Sequence, residues 1–263
     1  SNLDVARAAI RSADQLGPDS FLFVPPLVSL LRHRLLKNEA RTVLVGYGEP
    51  VIEPLAHFLQ DQREDLWVRR HLPATMARLA SQRPLDLLID ALSDRDGFLR
   101  YKVIAAIETM HRDHPRLVIR REPIEALAMA ESLRHFNALT LHANLTQGET
   151  FGADTLLVRA LEEKQRRTRE RVFRLLGLMY PRTDISAAWF ALEHGDARRR
   201  ASASEYLDNV LSGALRKRVV LMVDDMPADE RVRRTNAMFR TRRRSPEDTL
   251  AQLTHRERED ERA

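Results

Sequence analysis

The chain has 263 residues, with 43 Lys and Arg against 38 Asp and Glu and a formal charge of +5. Cysteine is absent, which excludes a disulfide framework and a thiolate metal site. No apolar run reaches the roughly 20 residues that cross a bilayer; the best, residues 21–31, is short and holds Pro25 and Pro26.

No signal peptide is visible, and Ser1-Asn2 in place of an initiating methionine reads as the edge of an excised segment. Residues 3–16 place Leu3, Val5, Ala9, Ile10, Ala13 and Leu16 along an amphipathic helix stopped by Gly17-Pro18. A helix over 21–36 follows, with Pro25-Pro26 at its start, then a short one over 39–46. Residues 46–79 and 84–110 each read as a short apolar helix, a polar turn with an aspartate, and a second helix opened by an apolar residue and an arginine. His114-Pro115 breaks the chain, and 123–145 reads as one long helix with the stripe Ile124, Leu127, Ala128, Leu133, Phe136 and Leu139. A loop over 146–152 leads to two further hairpins, 153–179 and 183–211. A helix over 215–223, a turn at 224–229, a basic linker and a terminal helix opened by Ser245-Pro246-Glu247-Asp248 complete the chain.

The hairpins share a frame. Leu92, Leu161 and Leu192 each close a first helix, and Arg100, Arg169 and Arg200 each open a second, at steps of 69 (169 − 100) and 31 (200 − 169). Arg69 fits 31 residues before Arg100 (100 − 69). Val103, Val172 and Ala203, then Ile107, Leu176 and Leu207, travel with the arginines at helical spacing. One such hairpin cannot bury its apolar face alone, so neighbours must stack. The chain is long enough for about six to seven hairpins of roughly 35–40 residues.

On these residues, with Gly46, Gly48, Pro50, Asp61, Val68, Asp94, Asp96, Leu99 and Asp196, the stretch from about 27 to 211 resembles the HEAT-repeat family. The resemblance implies an all-α, right-handed α-solenoid of helical hairpins in which aspartate and arginine form a ladder between repeats. Glu163 and Gln165 stand where the ladder aspartates would be in the hairpin 153–179, which departs from the pattern. The whole chain, 1–263, is expected as a single segment with an irregular repeat at about 115–152 and a basic linker and terminal helix over 227–263. Residues 45–79 and 171–208 are also similar to HEAT segments that bacteria join to nucleotide-transporter-like membrane proteins, which implies a cytoplasmic domain at the inner face of a membrane.

Catalytic patterns are weak. His111 and His114 form H-x-x-H, and His135 and His142 lie seven apart, short of the three or four converging ligands that zinc needs. The His-Glu dipeptides of HEAT-like hydroxylases, a nucleophile elbow and a phosphate loop are all missing. Trp67, placed in a turn, and Trp189, placed in a first helix, are too far apart for the stacking surface of HEAT-like DNA glycosylases. The basic candidates are Arg166, Arg167, Arg198, Arg199 and Arg216, expected along one edge where equivalent turns stack. A non-enzymatic scaffold binding a protein partner is the expectation, with no cofactor and no metal. Nucleic acid and an anionic lipid surface are the competing partners.

Overall fold

The computed structural model describes residues 2–17, 21–146, 152, 155–241 and 244–251. Among the described residues every regular element is a helix. No helix there is long and apolar enough to cross a membrane. Most of the expected loop at 146–152, Pro18, Arg242, Arg243 and the charged end from 252 onward lie outside the described residues. The chain divides into two compact units, Ser1–Ile124 and Glu125–Ala263.

The first unit contains α1 (Asn2–Leu16), α2 (Val24–Ser29), α3 (Lys37–Gly46), α4 (Ile52–Gln60), α5 (Leu66–Met76), α6 (Gln82–Asp90) and α7 (Gly97–Asp113). The hairpins α4–α5 and α6–α7 fall where the sequence predicts them. α5 packs on α3 and α7, and α4 packs on α6, so first and second helices form separate layers. Leu72, Met76, Leu88, Leu92, Val103 and Ile107 fill the space between them. Gly48 starts the first hairpin at φ 69 and ψ −141, a conformation open essentially to glycine. Tyr47 ties α3 to α1 by donating its hydroxyl to the Ala13 carbonyl at 2.9 Å.

The helix expected over 21–36 is shorter and interrupted. α2 ends at Ser29, and His33 turns extended at φ −82, ψ 119. The cause is local: His33 Nδ1 accepts the N–H groups of Leu35 and Leu36 at 3.3 Å each, an alternative to the helical ladder.

The second unit contains most of α8 (Arg121–Leu145), then α9 (Leu156–Met179), α10 (Arg182–His194), α11 (Ala197–Val210), α12 (Gly213–Val223) and α13 (Ala228–Phe239). The hairpin expected over 153–179 is one continuous helix, α9. Its mid-section, LEEKQRRTRERV, consists mostly of strong helix formers, without glycine, proline or an aspartate cap. Glu163 also braces it by pairing with Arg167 one turn on, at 2.5 Å. Leu161 and Arg169 keep the hairpin frame, but local propensity carries the helix straight through. The stretch taken as a basic linker is largely α13, seated by Val232 and Thr235. A further helix at 246–251 starts where predicted, Ser245 Oγ accepting the Asp248 N–H at 3.1 Å. Its Leu250 packs on a cluster of Ala138, Leu145 and Leu161.

α8 departs from its expected stripe. Leu133 is 38% exposed, whereas Glu131 and Ser132 are fully buried. Glu131 accepts Arg171 Nε of α9 at 2.9 Å and Arg134 at 3.1 Å. Arg218 of α12 donates to the Met129 carbonyl at 2.7 Å and to Ser132 Oγ at 3.2 Å. These bonds form a buried polar network that links α8 to α9 and α12.

Candidate functional site

Three aspartates cap second helices and set their entry. Asp65 accepts the Trp67 N–H at 2.8 Å, Asp96 the Leu99 N–H at 2.6 Å, and Asp196 the Arg199 N–H at 2.8 Å. Trp67 therefore lies in the first turn of α5, not in the connecting turn. The frame arginines then reach forward. Arg69 bonds Asp94 at 2.5 Å, and Arg200 approaches Asp225 at 3.8 Å, the same step in each case (94 − 69 = 25; 225 − 200 = 25). Arg169 pairs with Glu193, at nearly the same step. Arg100 donates to its own turn, to the carbonyls of Asp94 at 2.6 Å and Arg95 at 2.9 Å. The cap of α5 is Asp65 and not Asp61, and the frame carries the signal, since Asp65 precedes Asp96 by 31 residues (96 − 65).

Of the five basic candidates, three are held by neighbouring carboxylates. Arg166 grips Glu163 through two bonds of 2.8 Å, and Arg167 bonds the same group at 2.5 Å. Those two guanidinium groups push the Glu163 carboxyl down to about 2. Both arginines sit in the middle of α9 rather than at a turn, so the expected alignment of turns does not apply to them. Arg216 forms two bonds to Asp208 of α11, at 2.6 and 2.7 Å, and holds its carboxyl below the ordinary range.

Arg198 and Arg199 differ. Both are exposed, and among the described residues Arg198 has no carboxylate partner while Arg199 is 3.9 Å from Asp196. They line a groove of about 690 Å³ between α10 and α11. Ala187, Ala188, Ala191 and Ala203 also line it, with Asp184, Asp196 and Tyr206, whose hydroxyl donates to Asp184 at 3.5 Å. Burial, then the nearby Asp184, raises the Tyr206 hydroxyl above its usual range, so it stays protonated. Gly195 makes the tight turn possible: a Cβ there would lie 2.4 Å from the Ala191 carbonyl oxygen. The arrangement offers shape, apolar contact and a rim of mixed charge, in which Arg198 and Arg199 stand with Asp184 and Asp196.

Among the described residues no three His, Cys, Asp or Glu side chains converge on a point that could hold a metal ion. His142 faces Glu162 at 3.3 Å. His135 is buried and its Nδ1 meets the Gln165 carbonyl at 3.1 Å, which requires the Nδ1–H tautomer. Burial drives its pKa down to about 4, helped by Arg169 and Arg231 and opposed by the Gln165 bond. The unfolded chain therefore binds the proton first, and stability falls as pH drops from 6.5 to 4. The expected loss is on the order of 3 kcal/mol. His71, also lowered by burial and by Lys37, Arg41 and Lys102, acts in the same direction. Urea unfolding between pH 7 and pH 4.5 measures the slope, and His135→Asn, which keeps a donor without titrating, should flatten it.

No protein-family model, curated protein or solved structure matches the chain.

Proposed function

We propose that the chain forms a HEAT-like, right-handed α-solenoid that serves as a non-enzymatic scaffold for protein partners. The repeat reading is supported by the layered hairpins α4–α5 and α6–α7 and by arginines that reach the acid 25 residues on (94 − 69 = 25; 225 − 200 = 25). The binding reading is carried by one observation, the α10–α11 groove lined by four alanines and by the exposed Arg198 and Arg199. A groove of this kind accepts an apolar side chain and orients an acidic one.

A photo-crosslinking residue at exposed Ser202, on the groove wall, tests the reading. Adducts should be protease-sensitive and nuclease-resistant, and lost on combining Arg198→Glu with Arg199→Glu. That double variant should melt like the parent, within about 0.5 kcal/mol, because both side chains are exposed. Nuclease-sensitive adducts, or duplex DNA binding that survives about 200 mM salt, would favour a nucleic-acid binder instead. Binding to anionic vesicles alone, lost with the two arginines, would indicate a membrane surface.

A further inference from the structure

A second concave site lies in the first unit, and its polar groups are nearly all donors. It has a volume of about 630 Å³ and is lined by Leu30, Arg32, His33, Arg34, Asp65 and Trp67. That size suits a short ligand segment. Its one lining carboxylate is already used: Asp65 accepts the Trp67 N–H with one oxygen and Arg32, at 2.6 Å, with the other. The donors are not used up. Arg34 is exposed and has no partner among the described residues. His33 Nδ1 accepts two backbone N–H groups, so the neutral ring carries its proton on Nε2 as a donor. The indole N–H of Trp67 has no protein acceptor among the described residues. Trp67 and Leu30 supply apolar wall and floor, and Trp67 is 60% exposed.

The wall is held in place. Arg70 lies over Trp67 at 5.2 Å and over Phe98 at 5.1 Å, and two bonds to Asp96, at 3.1 and 2.8 Å, fix its guanidinium. Trp67 and Phe98 occupy the same frame position, 31 residues apart (98 − 67), so the repeat itself puts both rings at the start of second helices. Lys102 sits over Phe98 at 5.0 Å and extends the positive surface. A preformed wall lowers the ordering cost of binding.

From this geometry we infer that the pocket beside Trp67 docks an acidic peptide segment of a partner protein. A large apolar side chain lies against Trp67 and Leu30, and carboxylates meet Arg34 and the His33 Nε2–H. Charge complementarity selects the occupant, since Arg34 brings a positive charge unpaired among the described residues, the Trp67 and His33 N–H groups donate, and the remaining lining hydroxyl, Ser29, can donate too. A nucleic-acid strand fits less well: Phe98 is engaged by Arg70, Lys102 and a stacked Tyr101, so successive bases find one open ring, not a run. The inference rests on the scaffold reading and gives it a partner chemistry.

Selection of a displayed random peptide library on the full chain, followed by fluorescence anisotropy of a selected peptide, tests it. The peptides should combine Asp or Glu with Trp, Phe or Leu. Arg34→Glu and Trp67→Ala should each weaken binding about ten-fold or more, as should replacing the peptide's acids by amides. Both positions are exposed, and unchanged circular-dichroism melts would show that the variants fold. Arg198→Glu with Arg199→Glu should leave this affinity alone. Non-acidic peptides, or binding indifferent to Arg34→Glu and Trp67→Ala, would overturn the pocket, as would oligouridylate or phosphatidylserine vesicles that bind more tightly through Trp67. Peptides that depend on Arg198 and Arg199 instead would refute this pocket and leave the scaffold reading standing. Failure to select any peptide would also refute it, with the scaffold reading then decided by crosslinking at Ser202.

Discussion

Arg171→Met should destabilise the second unit by about 3–5 kcal/mol, the usual cost of stranding one member of a buried ion pair. Glu131 is fully buried and Arg171 is 8% exposed, so neither charge can be rehydrated without opening the α8–α9 contact. Arg134 still reaches Glu131, but its side chain is 36% exposed and cannot replace the lost Nε–H bond from α9. Urea unfolding of the full chain measures the loss. Combining Arg171→Met with Glu131→Leu should recover much of it, because the pair then leaves no buried charge behind. A single variant that unfolds within about 1 kcal/mol of the parent would mean that water reaches Glu131 and that the network is not closed.

Much of the first unit was legible because its hairpins obey two rules at once. The apolar positions recur at helical spacing, and an aspartate precedes each second helix as a cap. Where both rules hold, at α4–α5, α6–α7 and α10–α11, predicted and observed elements agree to within a few residues. In α9 only the first rule holds. Leu161, Arg169, Val172 and Leu176 keep the frame, but nothing breaks the helix between them, and the glutamates and arginines there favour continuing it. Spacing therefore reports which residues face the core and does not by itself report a turn.

The candidate sites were less legible, for the same kind of reason. The pocket beside Trp67 depends on a helix that ends early because a histidine side chain captures two backbone N–H groups, an event with no periodic signature. Arg198 and Arg199 could be named from the sequence as unexplained by the frame. Arg166, Arg167 and Arg216 were named on the same ground, and only coordinates reveal that Glu163 and Asp208 hold them. In α8 the apolar stripe placed Leu133 inside, whereas burying Glu131 requires knowing that Arg171 lies opposite, 40 residues away (171 − 131).

Asp94→Ala should have the corresponding effect in the first unit, about 3–5 kcal/mol. Asp94 is the acceptor at the junction of α5 and α7. One oxygen accepts Arg69 at 2.5 Å and Gln62 at 3.1 Å, and the other accepts the Asp96 N–H at 2.7 Å. Arg69 is only 3% exposed, and its other bonds, to the Leu59 carbonyl at 2.9 Å and Gln62 at 3.3 Å, bring no negative charge. Burial alone would raise the pKa of Asp94, but the bonds from Gln62, the Asp96 N–H and Arg69 outweigh it and hold the carboxyl below its ordinary range. The unfolded chain thus takes up this proton first as pH falls. The stability that Asp94 contributes is complete above its unfolded value, near 3.9, and is lost as pH drops below it. That window lies under the one set by His135, so unfolding measured from pH 7 to pH 2 should separate them: His135→Asn flattens the upper part and Asp94→Ala the lower. Asp94→Asn, which keeps an acceptor and removes the charge, should cost less than Asp94→Ala. If the two variants unfold together at a cost under about 1 kcal/mol, Arg69 is satisfied by its carbonyl bonds alone, and the 25-residue step between arginine and acid (94 − 69) is packing geometry without electrostatic weight.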